Sequence, residues 1–177
     1  MKTYSFRKGT KQDLPQLVKL YDTLCDYLEE NQNPPGWKKG YYPAEMDAIA
    51  ACNEDSQYLL LDGDIIIASI VLNHHPEAAY SKATWKTTFN YSHIFVIRTF
   101  CVHPDYLKKG IGSYLLQEVF SLAKANNINS LRLDVFQGNI PAQRLYEAAG
   151  FEYIDTVDLG LGEFGLDWFK LYEKTIA

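Results

Sequence analysis

Apolar positions along this chain fall into two rhythms, one of three to four residues that marks helices and one of two that marks strands. Residues 4–7 alternate as a short strand. After them Leu14, Leu17, Val18, Tyr21, Leu24, Cys25 and Leu28 hold helical spacing, with Asp13 in the capping position. Pro15 falls in the first turn, where its missing N–H is tolerated. Residues 31–42 form a loop rich in Asn, Pro and Gly that carries Trp37, Tyr41 and Tyr42, and Pro43 opens a second helix ending near Cys52. Two strands, 58–61 and 65–73, flank Asp62-Gly63-Asp64, a strong hairpin signal. Residues 76–90 are polar and irregular, and 91–102 form a long β-rich run. Ile111, Leu115, Val119 and Leu122 repeat as a helix, 130–136 reads as a buried strand suited to a parallel neighbour, and 140–149 as a helix closed by Gly150. Residues 151–159 and 168–174 complete an antiparallel pair around a Gly-rich loop. The expected order is β-α-α-β-β-β-α-β-α-β-β, with no repeat, low-complexity tract or linker.

Composition narrows the class without naming a chemistry. The 177 residues, 47% hydrophobic and 22% charged, suit one globular domain with a sizeable core. A formal net charge of −5 argues against a nucleic-acid partner, which calls for a basic face. Cys25, Cys52 and Cys101 are odd in number and far apart, without metal-ligand or disulfide spacing, so we expect buried free thiols, no metal and a reducing compartment. The first residues hold no apolar run of signal-peptide length and no segment is long enough to span a membrane, so a cytoplasmic protein with no membrane partner is expected.

The chemistry concentrates in residues 100–151. The strand end Phe100-Cys101-Val102 leads through His103-Pro104-Asp105-Tyr106 into Leu107-Lys108-Lys109-Gly110-Ile111-Gly112-Ser113 and a helix. Free N–H groups and the dipole at a helix start favour an anion. Gly110 and Gly112 allow a tight turn close to a phosphate, and Lys108 and Lys109 add positive charge. The turn alone is equally an ordinary Gly-rich helix start. Two other phosphate loops fail: in a P-loop Lys follows the glycines, whereas here it precedes them, and a dinucleotide fingerprint needs a third Gly where Leu115 stands. About twenty residues on come Leu131-Arg132-Leu133-Asp134-Val135 and then Asn139-Ile140-Pro141-Ala142-Gln143-Arg144-Leu145-Tyr146-Glu147-Ala148-Ala149-Gly150-Phe151.

Together the two segments resemble the GCN5-related N-acetyltransferase (GNAT) family. The resemblance covers nearly the whole chain in element order, with motifs confined to the second half. It implies an α/β fold over a single domain, 1–177: a mixed, mostly antiparallel sheet with a splayed central parallel strand pair and helices on both faces. It also implies acetyl-coenzyme A as co-substrate, with its pyrophosphate on residues 107–113 and its pantetheine amides bonded by the main chain of Phe100, Cys101 and Val102. One N–H there would polarise the thioester carbonyl, a contribution worth roughly 3 kcal/mol in oxyanion holes elsewhere. The family has Arg or Gln where this chain has Leu107. On the second segment the resemblance places Asn139 and Ala142 beside the cofactor and Tyr146 as the acid that protonates the departing thiolate. Packing with its hydroxyl at the surface is the other reading of Tyr146. Cys101, apolar-flanked and without a positioned His, reads as core.

The general base is not named by the residues. Some relatives carry a glutamate on the strand before the glycine turn, and the matching position holds Val96. On a regular strand His93 would point to the opposite face, while Arg98 would share the face of Val96 and either orient an anionic acceptor group or pair with a carboxylate. His74 and His75 end the preceding strand. Trp37, Tyr41 and Tyr42 lie on the loop that in this fold borders the acceptor cleft, and aromatic walls suit a cationic amine. The expected acceptor is a small-molecule or peptide primary amine, and the expected state a monomer or homodimer. A noncatalytic sensor of coenzyme A is the alternative reading.

Overall fold

The computed structural model describes residues 2–177. Seven strands form one mixed sheet: β1 (Ser5–Lys8), β2 (Gln57–Asp62), β3 (Ile65–Asn73), β4 (Ile94–Val102), β5 (Ser130–Phe136), β6 (Glu152–Val157) and β7 (Phe169–Thr175). Their order across the sheet is β1-β2-β3-β4-β5-β7-β6. The pairs β1–β2, β2–β3, β5–β7 and β6–β7 are antiparallel, and β4–β5 is parallel, from Ile94↔Ser130 to Ile97↔Leu133. The helices are α1 (Leu14–Glu30), α2 (Glu45–Asn53), α3 (Ile111–Ala125) and α4 (Ile140–Ala148). This is the expected element order.

The chain divides into two compact units, with breaks between Leu72 and Asn73 at the end of β3, between Arg98 and Thr99 in β4 and between Glu118 and Val119 in α3, and with Pro34–Gly36 in the second unit. In the first unit the apolar face of α1, Leu17, Leu20, Tyr21, Leu24 and Leu28, is buried with Ala48 of α2, Leu59 and Leu61 of β2, Ile66 of β3 and Cys101 of β4. Burying each large aliphatic side chain stabilises by roughly 1.5–3 kcal/mol. The second unit gathers Tyr80, Val96, Val157 and Leu171, with Trp85 and Tyr91 packed on them. The segment between β3 and β4, irregular by sequence, is therefore anchored by its aromatics. It is held further by Arg132 of β5, whose guanidinium bonds Glu173 Oε2 at 2.6 Å, Tyr91 Oη at 2.9 Å and the Thr87 carbonyl at 2.7 Å, and lies 4.2 Å from the Trp85 ring centroid.

Three local expectations need correction. Asp13 stands at the start of α1 but caps no helical N–H with its side chain. Its carboxylate instead accepts from both terminal guanidinium nitrogens of Arg7 at 2.8 Å and from the Thr10 N–H at 2.8 Å, because a 3-10 turn, Lys11–Asp13, precedes the helix. α2 begins at Glu45, two residues past Pro43, where Asp47 accepts the Ala44 N–H. Residues 91–93 form a 3-10 turn and β4 starts only at Ile94, so the regular-strand argument about His93 falls away.

Candidate active site

The first unit carries the glycine turn. β4 ends in Phe100, Cys101 and Val102, and the His103 N–H donates to the Ile67 carbonyl of β3 at 2.8 Å, fixing where the strand stops. A 3-10 turn, Pro104–Tyr106, follows, and the Tyr106 hydroxyl donates to Asp62 Oδ2 at 2.9 Å in the β2–β3 hairpin. Lys109 Nζ lies 5.4 Å from the Tyr106 ring centroid. From Leu107 the chain turns through Lys108 at φ +58° and Gly110 at φ +76° into α3. Gly110 and Gly112 were both expected to shape this turn. Only Gly110 needs the left-handed region as a glycine, Lys108 takes the other left-handed position, and Gly112 lies inside the helix. The first helical bond runs from the Tyr114 N–H to the Gly110 carbonyl at 3.0 Å, which leaves the N–H groups of Ile111, Gly112 and Ser113 ahead of the ladder. Lys108, Lys109, Gly110 and Ser113 are exposed, and a Cβ at Gly110 would meet no atom within 4 Å. The turn thus sets two exposed cations beside main-chain donors that precede the ladder, at the start of a 15-residue helix.

Thr99, the residue before Phe100-Cys101-Val102, has φ +49°, a strained value for a β-branched residue. Its Oγ1 lies 2.6 Å from the Tyr42 hydroxyl, so the Asn/Pro/Gly loop is tied directly to the point where β4 departs from regular geometry. No sequence signal marked Thr99. Tyr42 is 39% exposed. Trp37 is partly buried against the α1 cluster, 5.8 Å edge-on from Tyr42, and Tyr41 is exposed with Lys38 Nζ 4.6 Å from its ring centroid. Cys101 is fully buried, and burial pushes its thiol well above the usual range. Cys25 and Cys52 are likewise buried free thiols.

The second unit carries the second motif. Asn139 caps α4 by accepting the Ala142 N–H at 3.3 Å, with Pro141 in the first turn. The preceding turn is held by the buried Gln143, whose Nε2 donates to the carbonyls of Phe136 at 3.2 Å and Gln137 at 2.8 Å, a clamp not anticipated from sequence. Tyr146 is 6% exposed, its ring 5.6 Å edge-on from Phe151. Gly150 at φ +90° ends the helix as expected.

Arg98 pairs with Glu77 and with the His75 carbonyl, so it meets a carboxylate supplied by the segment after β3. Beside it stands a group the sequence reading passed over. Asp134 of β5 accepts the Tyr80 hydroxyl through Oδ2 at 2.6 Å, and desolvation raises its carboxyl above the usual range while Tyr80 and Arg98 oppose that rise. The only advance signal was a carboxylate alternating with apolar residues in Leu131-Arg132-Leu133-Asp134-Val135. His74 Nδ1 is taken up by the carbonyls of Tyr91 and Ile94, both at 2.8 Å.

Residues 18–151 match the acetyltransferase (GNAT) family. This chain belongs to that family, the one its two motifs resemble. Over 82 residues it is 37% identical to the UPF0157 protein YqkA of Bacillus subtilis (strain 168), an alignment covering 46% of this chain and 23% of that protein. The chain thus spans about a quarter of the curated relative it matches. Its fold is similar to a GNAT-family acetyltransferase from Streptococcus agalactiae 2603, with TM-score 0.81, 14% identity, and 97% and 95% of the two chains covered. It is also similar to yncA from Salmonella typhimurium, solved with its cofactor acetyl-CoA, with TM-score 0.67, 12% identity, and 98% and 94% covered. No described helix is long and apolar enough to cross a membrane.

Proposed function

We propose that this protein transfers acetyl from acetyl-coenzyme A to a primary amine of a small metabolite or peptide, by direct attack through a tetrahedral intermediate. The observation that carries the reading is the turn 107–113, inside the segment that matches the family: two left-handed residues, Lys108 and Gly110, precede a long helix whose first N–H groups stand ahead of its hydrogen-bond ladder, beside two exposed lysines. Such a turn fits a pyrophosphate, since main-chain donors and the helix dipole both favour the anion. Leu107 supplies no side-chain donor, so the grip falls on the main chain and on Lys108 and Lys109. Phe100, Cys101 and Val102 hold the pantetheine arm through their backbone, which is compatible with Cys101 turning its side chain into the core. Asn139 and Ala142 border the cofactor at the start of α4, and Tyr146 protonates the departing thiolate. Tyr42 and Trp37 form an aromatic wall for the acceptor.

Ligand-induced thermal shifts test the cofactor class. Coenzyme A and acetyl-coenzyme A are expected to raise the melting temperature, whereas ATP and NAD leave it in place. A shift with ATP or NAD and none with coenzyme A would overturn the reading.

A further inference from the structure

Asp134 and Arg98 occupy the first positions past the last parallel pair, Ile97↔Leu133, on strands that run toward their carboxyl ends together. In open α/β sheets that is where ligands bind. There the second unit concentrates charged and phenolic groups that the proposed chemistry has not used. From the segment after β3 come Tyr80, 1% exposed, and Glu77, from β4 Arg98, and from β5 Asp134 itself. β7 contributes only Leu171 at the register position beside Asp134. Tyr80 holds Oδ2, and Asp134 keeps part of its surface accessible. Arg98 is turned onto Glu77 and the His75 carbonyl, so it flanks Asp134 without a bidentate bond that would use up both oxygens.

We propose that Asp134, held by Tyr80 and flanked by Arg98, is the group that takes the proton of the acceptor amine, with Tyr80 and Arg98 as its positioning residues. The inference deepens the acetyltransferase reading and rests on it. The acceptor arrives as an ammonium and gives one proton to Asp134 Oδ1. Its nitrogen lone pair then forms the C–N bond to the thioester carbonyl carbon, and the C–S bond breaks as the intermediate collapses. Tyr146 gives its proton to the leaving sulfur and is restored by the second nitrogen proton, while Asp134 releases its own to solvent. The sum is ammonium plus thioester to amide, thiol and one proton. A desolvated carboxylate suits this task because its basicity is higher than that of a solvated one. The buried phenol fixes the carboxylate in one orientation, so the nitrogen meets Oδ1.

The test is kcat/KM against pH for the wild type, Asp134→Asn and Tyr80→Phe, each with two amines of different pKa, alongside the acetyl-coenzyme A thermal shift. The wild type should show a low-pH limb at the same position for both amines. Asp134→Asn should lower kcat/KM near neutral pH by about 10²-fold or more, with a profile that now follows the pKa of each amine, while the thermal shift persists. Tyr80→Phe removes a hydrogen bond to the ionised carboxylate, so its limb should move to higher pH. A purely structural role would lower the rate without moving the limb. Activity of Asp134→Asn within about 3-fold of wild type, or an unmoved limb in Tyr80→Phe, overturns the proposal. Loss of the thermal shift or of thiol release in the wild type would instead remove the acetyltransferase reading. Tyr80→Phe keeps the test decisive if Asp134→Asn does not fold.

Discussion

Gly110 and Tyr146 are the single residues on which cofactor binding and proton transfer are proposed to turn. At φ +76° with open space around it, Gly110 is required for its backbone conformation and not for want of room. Gly110→Ala should therefore fold and lose only about 1 kcal/mol, the usual cost of a Cβ at a left-handed position. Gly110→Asp adds a negative charge where a pyrophosphate is proposed and should abolish the acetyl-coenzyme A thermal shift. A full shift in that variant would place the cofactor elsewhere. Tyr146→Phe keeps the buried ring and its contact with Phe151 while removing the proton, so kcat should fall by about 10²-fold or more with KM for acetyl-coenzyme A nearly unchanged. Equal kcat in the two proteins would take Tyr146 out of the chemistry. Both residues were legible in the sequence because their signals are local, a Gly–x–Gly turn and an Asn–Tyr spacing. Thr99 was not, since a strained β-branched residue inside a strand leaves no mark in composition. Nor was the Tyr80–Asp134 bond, which joins residues 54 apart.

Between elements, two ion pairs act at different depths. Arg7 and Asp13 tie β1 to the start of α1, and the guanidinium together with the Thr10 N–H holds the Asp13 carboxyl down to about 2. A carboxyl depressed in the folded state contributes stability that is fully present above its unfolded value, about 3.9, and is lost as pH falls through the folded one. Melting temperature should therefore decline between about pH 4 and pH 2, and Asp13→Asn should flatten that part of the curve. An unchanged slope would mean the pair is too solvent-screened to matter. Arg132 and Glu173 are buried, at 4% and 1% side-chain exposure, and join β5, β7 and the segment before β4. Glu173→Gln strands the guanidinium charge and should cost about 3–5 kcal/mol. The double replacement Arg132→Met with Glu173→Leu should melt higher than either single change. If the double variant melts lower than both, the pair is net stabilising in a way that burial alone does not explain. Sequence periodicity found these strands because their apolar faces are regular. It missed the anchoring of residues 76–91, where Trp85, Tyr91 and Thr87 act through a partner more than forty positions away.

For the molecule as a whole, element order, sheet class and family follow from patterns that survive folding: helical and strand periods, a hairpin turn, and two motifs in register. The departures arise where the backbone leaves regular geometry, as in the 3-10 turn at Tyr91–His93, or where a non-glycine residue such as Lys108 takes the left-handed position. Strand alternation assigns no facing at such points, and His93, which lies before β4 begins, is one of them. Acetyl transfer to an amine is measured by thiol release from acetyl-coenzyme A across a panel of primary amines. Release should depend on the amine, match the N-acetyl product in amount, and fall by about 10²-fold or more in Tyr146→Phe. Tight coenzyme A binding with no amine-dependent release from any member of the panel would contradict it and leave a binding protein on an acetyltransferase fold.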